Sequence, residues 1–116
     1  MGKDLSRLNA IIRYCSKIQE SIEEFGEDEE DFLENSFHQY ACSFCILQIG
    51  ENIDNMSPEL KQKYSEINWD DIVQVRVSIA HGYENIDFDL VWKTITKKIP
   101  KLKKTCEKIL RENKKL

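Results

Sequence analysis

The chain is poor in residues that break or bend a backbone, with four glycines and two prolines among 116 residues. A β fold of many tight turns draws on both, so the scarcity points to helices. There is no glycine-rich phosphate loop, no internal repeat and no low-complexity segment. No apolar run approaches the roughly 18 residues that span a bilayer. The start, Met1-Gly2-Lys3-Asp4, carries no apolar signal region, so a soluble, cytoplasmic protein is expected. Gly2 and Ser6 fit a myristoylation pattern, but the charged Lys3-Asp4 start and the lack of a second anchor argue against it. An excess of positive charge is also missing. The net charge is −4 and the pI near 5.2, which argues against a sequence-blind nucleic-acid binder but leaves room for a locally basic cleft.

Cysteine is sparse too: Cys15, Cys42, Cys45 and Cys106. Cys42 and Cys45 form a Cys-x2-Cys pair, and His38 shares their helical face one turn earlier. No second pair completes a structural zinc site. The four are read as reduced thiols that pack helices, with no metal or cofactor expected.

What is abundant is helical. Hydrophobic residues make up 41% and charged residues 33%, and the length suits one domain over residues 1–116. Apolar residues at threes and fours predict a first helix over 4–25, with Gly26 as its stop. The acidic run Glu27-Asp28-Glu29-Glu30-Asp31 suits a solvated loop and a helix start. A second helix is predicted over about 30–55. Its apolar stripe, including Phe32, Phe37, Tyr40 and Phe44, is broad enough to imply a partner or a second copy as well as a core. Gly50 interrupts that helix late and allows another backbone to come close. Ser57-Pro58-Glu59-Leu60 starts a short helix that ends near Tyr64, with Ser57 as cap and Pro58 at the first position. Asn68 caps a helix over 69–81, with Gly82 placed to end it. Asp87 caps a long helix over 88–114, which Pro100 must kink or divide. Lysines such as Lys98, Lys101, Lys104 and Lys108 line its outer face. They read mainly as a solvated strip, with a guide for phosphates as the second reading. The pattern is an all-α, up-and-down bundle of four main helices plus a short extra one.

The chemistry concentrates in Arg76-Val77-Ser78-Ile79-Ala80-His81-Gly82-Tyr83. Arginine holds phosphate oxygens with a planar fork of donors, and histidine moves protons near neutral pH. Cutting RNA without a metal needs a base for the ribose 2′-hydroxyl, a cation on the phosphate and an acid for the leaving 5′-oxygen. His81 suits acid–base work, Arg76 the phosphate, and Tyr83 a hydrogen bond or positioning. Five residues are about 140° on a helical wheel, so Arg76 and His81 do not stack. One copy is a half-site; a two-fold pair supplies two arginines and two histidines around one phosphate. The bland alternative pairs Arg76 with Asp70, Asp71 or Glu84 and leaves His81 as a helix-end residue.

Residues from about 40 to 100 resemble the minimal HEPN family of HepT-like toxins. The matching pieces are Ile49-Gly50-Glu51, Ser57-Pro58-Glu59-Leu60, Ile67-Asn68-Trp69, the 76–83 motif, and Val91-Trp92 followed by Ile99-Pro100. The resemblance implies a HEPN bundle that dimerises, with a metal-independent endoribonuclease site at the interface. It implies a toxin whose antitoxin is a minimal nucleotidyltransferase that transfers AMP to the motif tyrosine, here Tyr83. Arg76 and His81 are then the catalytic pair, with Glu51 and Ser78 in supporting places. The residue after the motif arginine is commonly polar in the family, whereas here it is Val77. That departure favours a rival reading, a non-catalytic helical module that binds a nucleotidyltransferase or nucleotide. Glu51 either orients Arg76 or His81 or is an ordinary packing carboxylate.

Overall fold

The computed structural model describes residues 2–113, apart from the side chain of Tyr83. These residues form an all-helical body with no strand among them. The elements are α1 (Gly2–Phe25), α2 (Glu29–Glu34), α3 (Ser36–Asp54), α4 (Pro58–Lys63), α5 (Trp69–Gly82), α6 (Phe88–Lys93) and α7 (Ile99–Asn113). A 3-10 turn, Tyr83–Asn85, follows α5, and a π-helical segment, Thr94–Lys98, joins α6 to α7.

The long helices pack side by side. α1 lies between α3 and α7, and α3 lies between α1 and α5. Neighbours run antiparallel, as cross-links at both ends of α1 show. Ser21, late in α1, meets His38 at the start of α3. Asp4, at the start of α1, accepts from the Ser57 backbone N–H at 2.9 Å and from its hydroxyl at 2.7 Å, just beyond the end of α3. Inward-facing Leu8, Ile11 and Ile18 of α1 meet Ile46, Ile49 and Ile53 of α3 and Leu102 and Ile109 of α7, all fully buried. Branched aliphatic side chains at helical spacing make this core by removing apolar area from water.

The local starts follow from their caps. The Ser57 hydroxyl accepts from the Leu60 N–H, the Asn68 side chain from the Asp71 N–H, and the Asp87 carboxylate from the Leu90 N–H. Gly26 stops α1 with a φ of +132°, which a side chain resists. Two expectations need correction. The predicted 30–55 helix is two helices, α2 and α3. Asn35 leaves helical geometry between them, and its side-chain oxygen accepts from the N–H groups of Phe37 and His38. Gly82 ends α5, as expected; its φ is −81°, and the chain tightens from there into the 3-10 turn. The long last helix is divided, but ahead of Pro100 rather than at it. The Ile99 N–H reaches back to the Thr94 carbonyl, one residue farther than in an α-helix. This wider turn accommodates the proline ring in the turn that follows. The Thr96 hydroxyl donates to the Trp92 carbonyl within the same stretch. Residue 114, the predicted end of that helix, lies outside the described residues.

No helix among the described residues is long and apolar enough to cross a membrane.

Candidate functional site

α3 and α5 cross where Gly50 faces Arg76. A β-carbon built on Gly50 would stand 2.6 Å from both Cβ and Cδ of Arg76. Glycine is therefore the seat on which the arginine side chain lies across α3, and any larger residue would push it away. The close approach expected at Gly50 is made by a side chain rather than by a second backbone. The next residue supplies the anchor: Glu51 Oε2 accepts from Arg76 Nη2 at 2.7 Å. The pair is part-exposed, with side chains 52% and 29% accessible. Arg76 Nε is buried without an acceptor among the described residues. The guanidinium is thus held at one nitrogen and stands at the surface of the crease, oriented before any ligand arrives.

This settles which acid the arginine meets. Asp71, one of the expected partners, instead binds Lys98 at 2.7 Å. Lys108 binds Glu66 at 2.9 Å, and Lys103 donates to Gln19. Part of the basic strip is therefore tied into the fold.

His81 lies near the end of α5 and is exposed. It makes no hydrogen bond or ion pair with Arg76 among the described residues. Helix geometry separates the two by about 7.5 Å along the axis and about 140° around it. Ser78 is also exposed, and Val77 is half-buried. The Tyr83 side chain lies outside the described residues. The structure therefore brings Arg76 and Glu51 together and leaves His81 and Ser78 facing solvent on the same helix.

The other histidine is a different case. His38 is fully buried, its Nδ1 2.7 Å from Ser21 Oγ and 3.6 Å from Cys42 Sγ. Phe25, Phe32 and Trp92 surround its ring. Burial pushes its pKa below the ordinary histidine value. Burial also pushes the Cys42 thiol up to about 12 and the Cys45 thiol up to about 11. Both stay protonated near neutral pH, the form that packs and not the form that ligates. Nothing in the sequence pointed to Ser21 as the partner of His38.

A third feature was half-legible. The broad apolar stripe on α3 is only partly covered: Phe37 is 76% exposed, Tyr40 63% and Phe44 55%. Phe37 and Phe44 are seven residues apart, and Glu51 is seven further, so all three lie along one face. The uncovered aromatic strip runs directly toward the Glu51–Arg76 pair.

The family model for ribonuclease HepT-like proteins matches residues 11–109. A protein of Methanocaldococcus jannaschii named "Gamma-glutamylcyclotransferase and putative RNase" is 38% identical over 85% of this chain, which spans only 47% of that longer relative. A "Putative RNase" of Caldanaerobacter subterraneus is 30% identical over 92% of the chain and 94% of its own length. A "Probable ribonuclease HepT" of Thermococcus cleftensis is 35% identical over 78% of the chain and 84% of its own length. No solved structure matches. With nearly its whole helical body matched, the chain belongs to the ribonuclease HepT-like family.

Proposed function

We propose that the chain is a metal-independent endoribonuclease, acting as a single-domain homodimer. The observation that carries this reading is the seating of Arg76. Gly50 makes room for it, Glu51 holds it at 2.7 Å, and an exposed histidine follows five residues later on the same helix. Such a fixed cation binds the scissile phosphate without reorganising, which is how charge stabilisation becomes effective. Relatives that carry RNase in their names support RNA as the polymer.

His81 takes the proton of the 2′-hydroxyl or returns one to the leaving 5′-oxygen. One imidazole cannot do both at the same instant. A second copy removes that difficulty. The exposed Phe37, Tyr40 and Phe44 lead along α3 to Glu51, so a copy seated on that strip sets two arginines and two histidines near one another. Ser78, exposed on α5, is available to the RNA backbone. The products are a 2′,3′-cyclic phosphate and a 5′-hydroxyl.

The same reading makes the protein the toxin of a pair whose antitoxin is a minimal nucleotidyltransferase. Transfer of AMP to Tyr83 would add bulk and negative charge close to the motif and block RNA. Val77 favours the rival, a non-catalytic module for that partner: a half-buried valine offers RNA no hydrogen bond where the family commonly has a polar side chain. The test is RNA cleavage by purified protein in EDTA, free of any partner. Cyclic-phosphate ends support the ribonuclease. An uncut RNA pool together with a stoichiometric nucleotidyltransferase complex establishes the module instead.

A further inference from the structure

A cavity of about 670 Å³ lies beside the Arg76–Glu51 pair, bounded by the end of α3, by α4 and by the start of α5. Its position relative to the pair follows from helix register. Asp54, on its rim, is one turn past Glu51 on α3, and Val73, on its wall, is one turn before Arg76 on α5. Along the helix axes these rim residues lie about 5 Å from the residues of the ion pair, on the side away from His81. A strand laid along the α3–α5 crease would meet the cavity and then Arg76.

Its lining has three kinds of surface. Half-buried Ile67 and Val73 give an apolar floor and wall, backed by the buried Ile53 and Trp69. Asp54 and Asp70 are exposed carboxylates with no ion-pair partner among the described residues. Lys61 spends one of its three N–H donors on the Ile53 carbonyl at 3.2 Å, which leaves two for a ligand anion. The volume is that of a small-molecule site. An apolar floor with acceptors at its edge and one ammonium beside it matches a nucleotide. The floor takes the face of a base, the carboxylates take its amino protons, and the ammonium takes a phosphate oxygen. The carboxylates repel phosphate, so only the base enters, while the backbone stays at Arg76 and Lys61.

We infer that this cavity is the subsite for the nucleotide next to the scissile phosphate of single-stranded RNA, and that Asp54 and Asp70 make it prefer an amino-bearing base over uracil. Cytosine, adenine and guanine each carry an exocyclic amino donor; uracil has only its ring N3–H, flanked by two carbonyl oxygens that the carboxylates repel. The inference rests on the ribonuclease reading.

Two measurements test it together. The first titrates the wild-type protein with cytidine 5′-monophosphate and uridine 5′-monophosphate and follows tryptophan emission. Trp69 lines the cavity, whereas Trp92 lies among Phe32 and His38. Cytidine monophosphate should bind roughly tenfold tighter, the scale of one good polar contact to a base edge. Asp54→Asn with Asp70→Asn should erase the difference without changing the melting temperature. The second sequences the ends cut from a random RNA pool. Amino-bearing bases should be enriched on one side of the cut, and the double variant should flatten that enrichment while still cutting. Equal binding of the two nucleotides, or a cut pattern unchanged in the double variant, overturns the subsite and leaves the ribonuclease reading intact. Selective nucleotide binding by a wild-type protein that cuts no RNA overturns the ribonuclease reading, and the RNA subsite with it.

Discussion

The two ends of α3 are built on opposite plans. At its start, His38 is sealed among aromatic rings, with its Nδ1 on the Ser21 hydroxyl. Near its end, Gly50 and Glu51 hold Arg76 at the surface, partly in water. The chain has two histidines, and only His81 lies on the helix that carries Arg76. The contrast separates residues that keep the bundle together from residues left available to a ligand. The closed end packs a polar ring into an apolar cage, with Nδ1 on Ser21 and Nε2 buried without a partner among the described residues. The open end accepts a weak, part-exposed ion pair, worth at most about 1 kcal/mol, and so is organised for something other than stability.

That division can be broken from the open end first. Arg76→Ala should lower RNA cleavage roughly 100- to 1,000-fold, the loss expected when one fixed charge donor to a phosphate is removed. Its melting temperature should change little, and a thermal scan beside a cleavage assay checks both. Gly50→Ala is the subtler break. The added methyl meets Arg76 Cβ and Cδ at 2.6 Å, so the guanidinium must move. A displacement near 1 Å costs up to about 100-fold in rate. Activity should fall even though alanine is the better helix former by about 1 kcal/mol. Glu51→Gln keeps the shape and removes the charge. Cleavage should drop by about tenfold while stability shifts by less than about 1 kcal/mol; a urea titration measures the second part.

The closed end should respond to pH instead. The His38 pKa is lowered by burial, so the unfolded chain binds the proton more readily than the folded one. The stability held by neutral His38 is complete above the unfolded value, near 6.5. It is lost as the pH falls from there toward the lowered folded value. Melting temperatures taken from pH 7.5 down to 5 should decline, and His38→Gln should make that decline shallower. An unchanged slope in the variant would place the acid sensitivity elsewhere.

How much of this was legible depends on the range of each interaction. The helix starts at Ser57, Asn68 and Asp87 were readable because a cap bonds to a backbone three residues away. The break at Asn35 was hidden because apolar residues continue through it, and periodicity alone does not report a residue that leaves helical geometry. Pro100 announced a disturbance, but the wide turn that absorbs it lies upstream, at Thr94–Lys98. The Arg76 and His81 candidates came from local spacing. Glu51, twenty-five residues before Arg76, was a candidate through the family resemblance, but its choice of Arg76 over His81 or plain packing came from the crossing of α3 and α5. Gly50 gave a signal, since a glycine inside a helix asks for a close neighbour, but not the identity of that neighbour. The apolarity of Phe37, Tyr40 and Phe44 was plain in the sequence, whereas their exposure depends on how α1 and α5 flank α3.

The most direct measurement pairs the two histidines. His81→Ala and His38→Ala are purified, melted, and assayed on RNA in EDTA under conditions where both are folded. The account predicts that His81→Ala melts like the wild type and loses cleavage by roughly 100- to 10,000-fold. It predicts that His38→Ala loses about 3 kcal/mol of stability and cuts normally for each folded molecule. Wild-type cleavage by His81→Ala would contradict it.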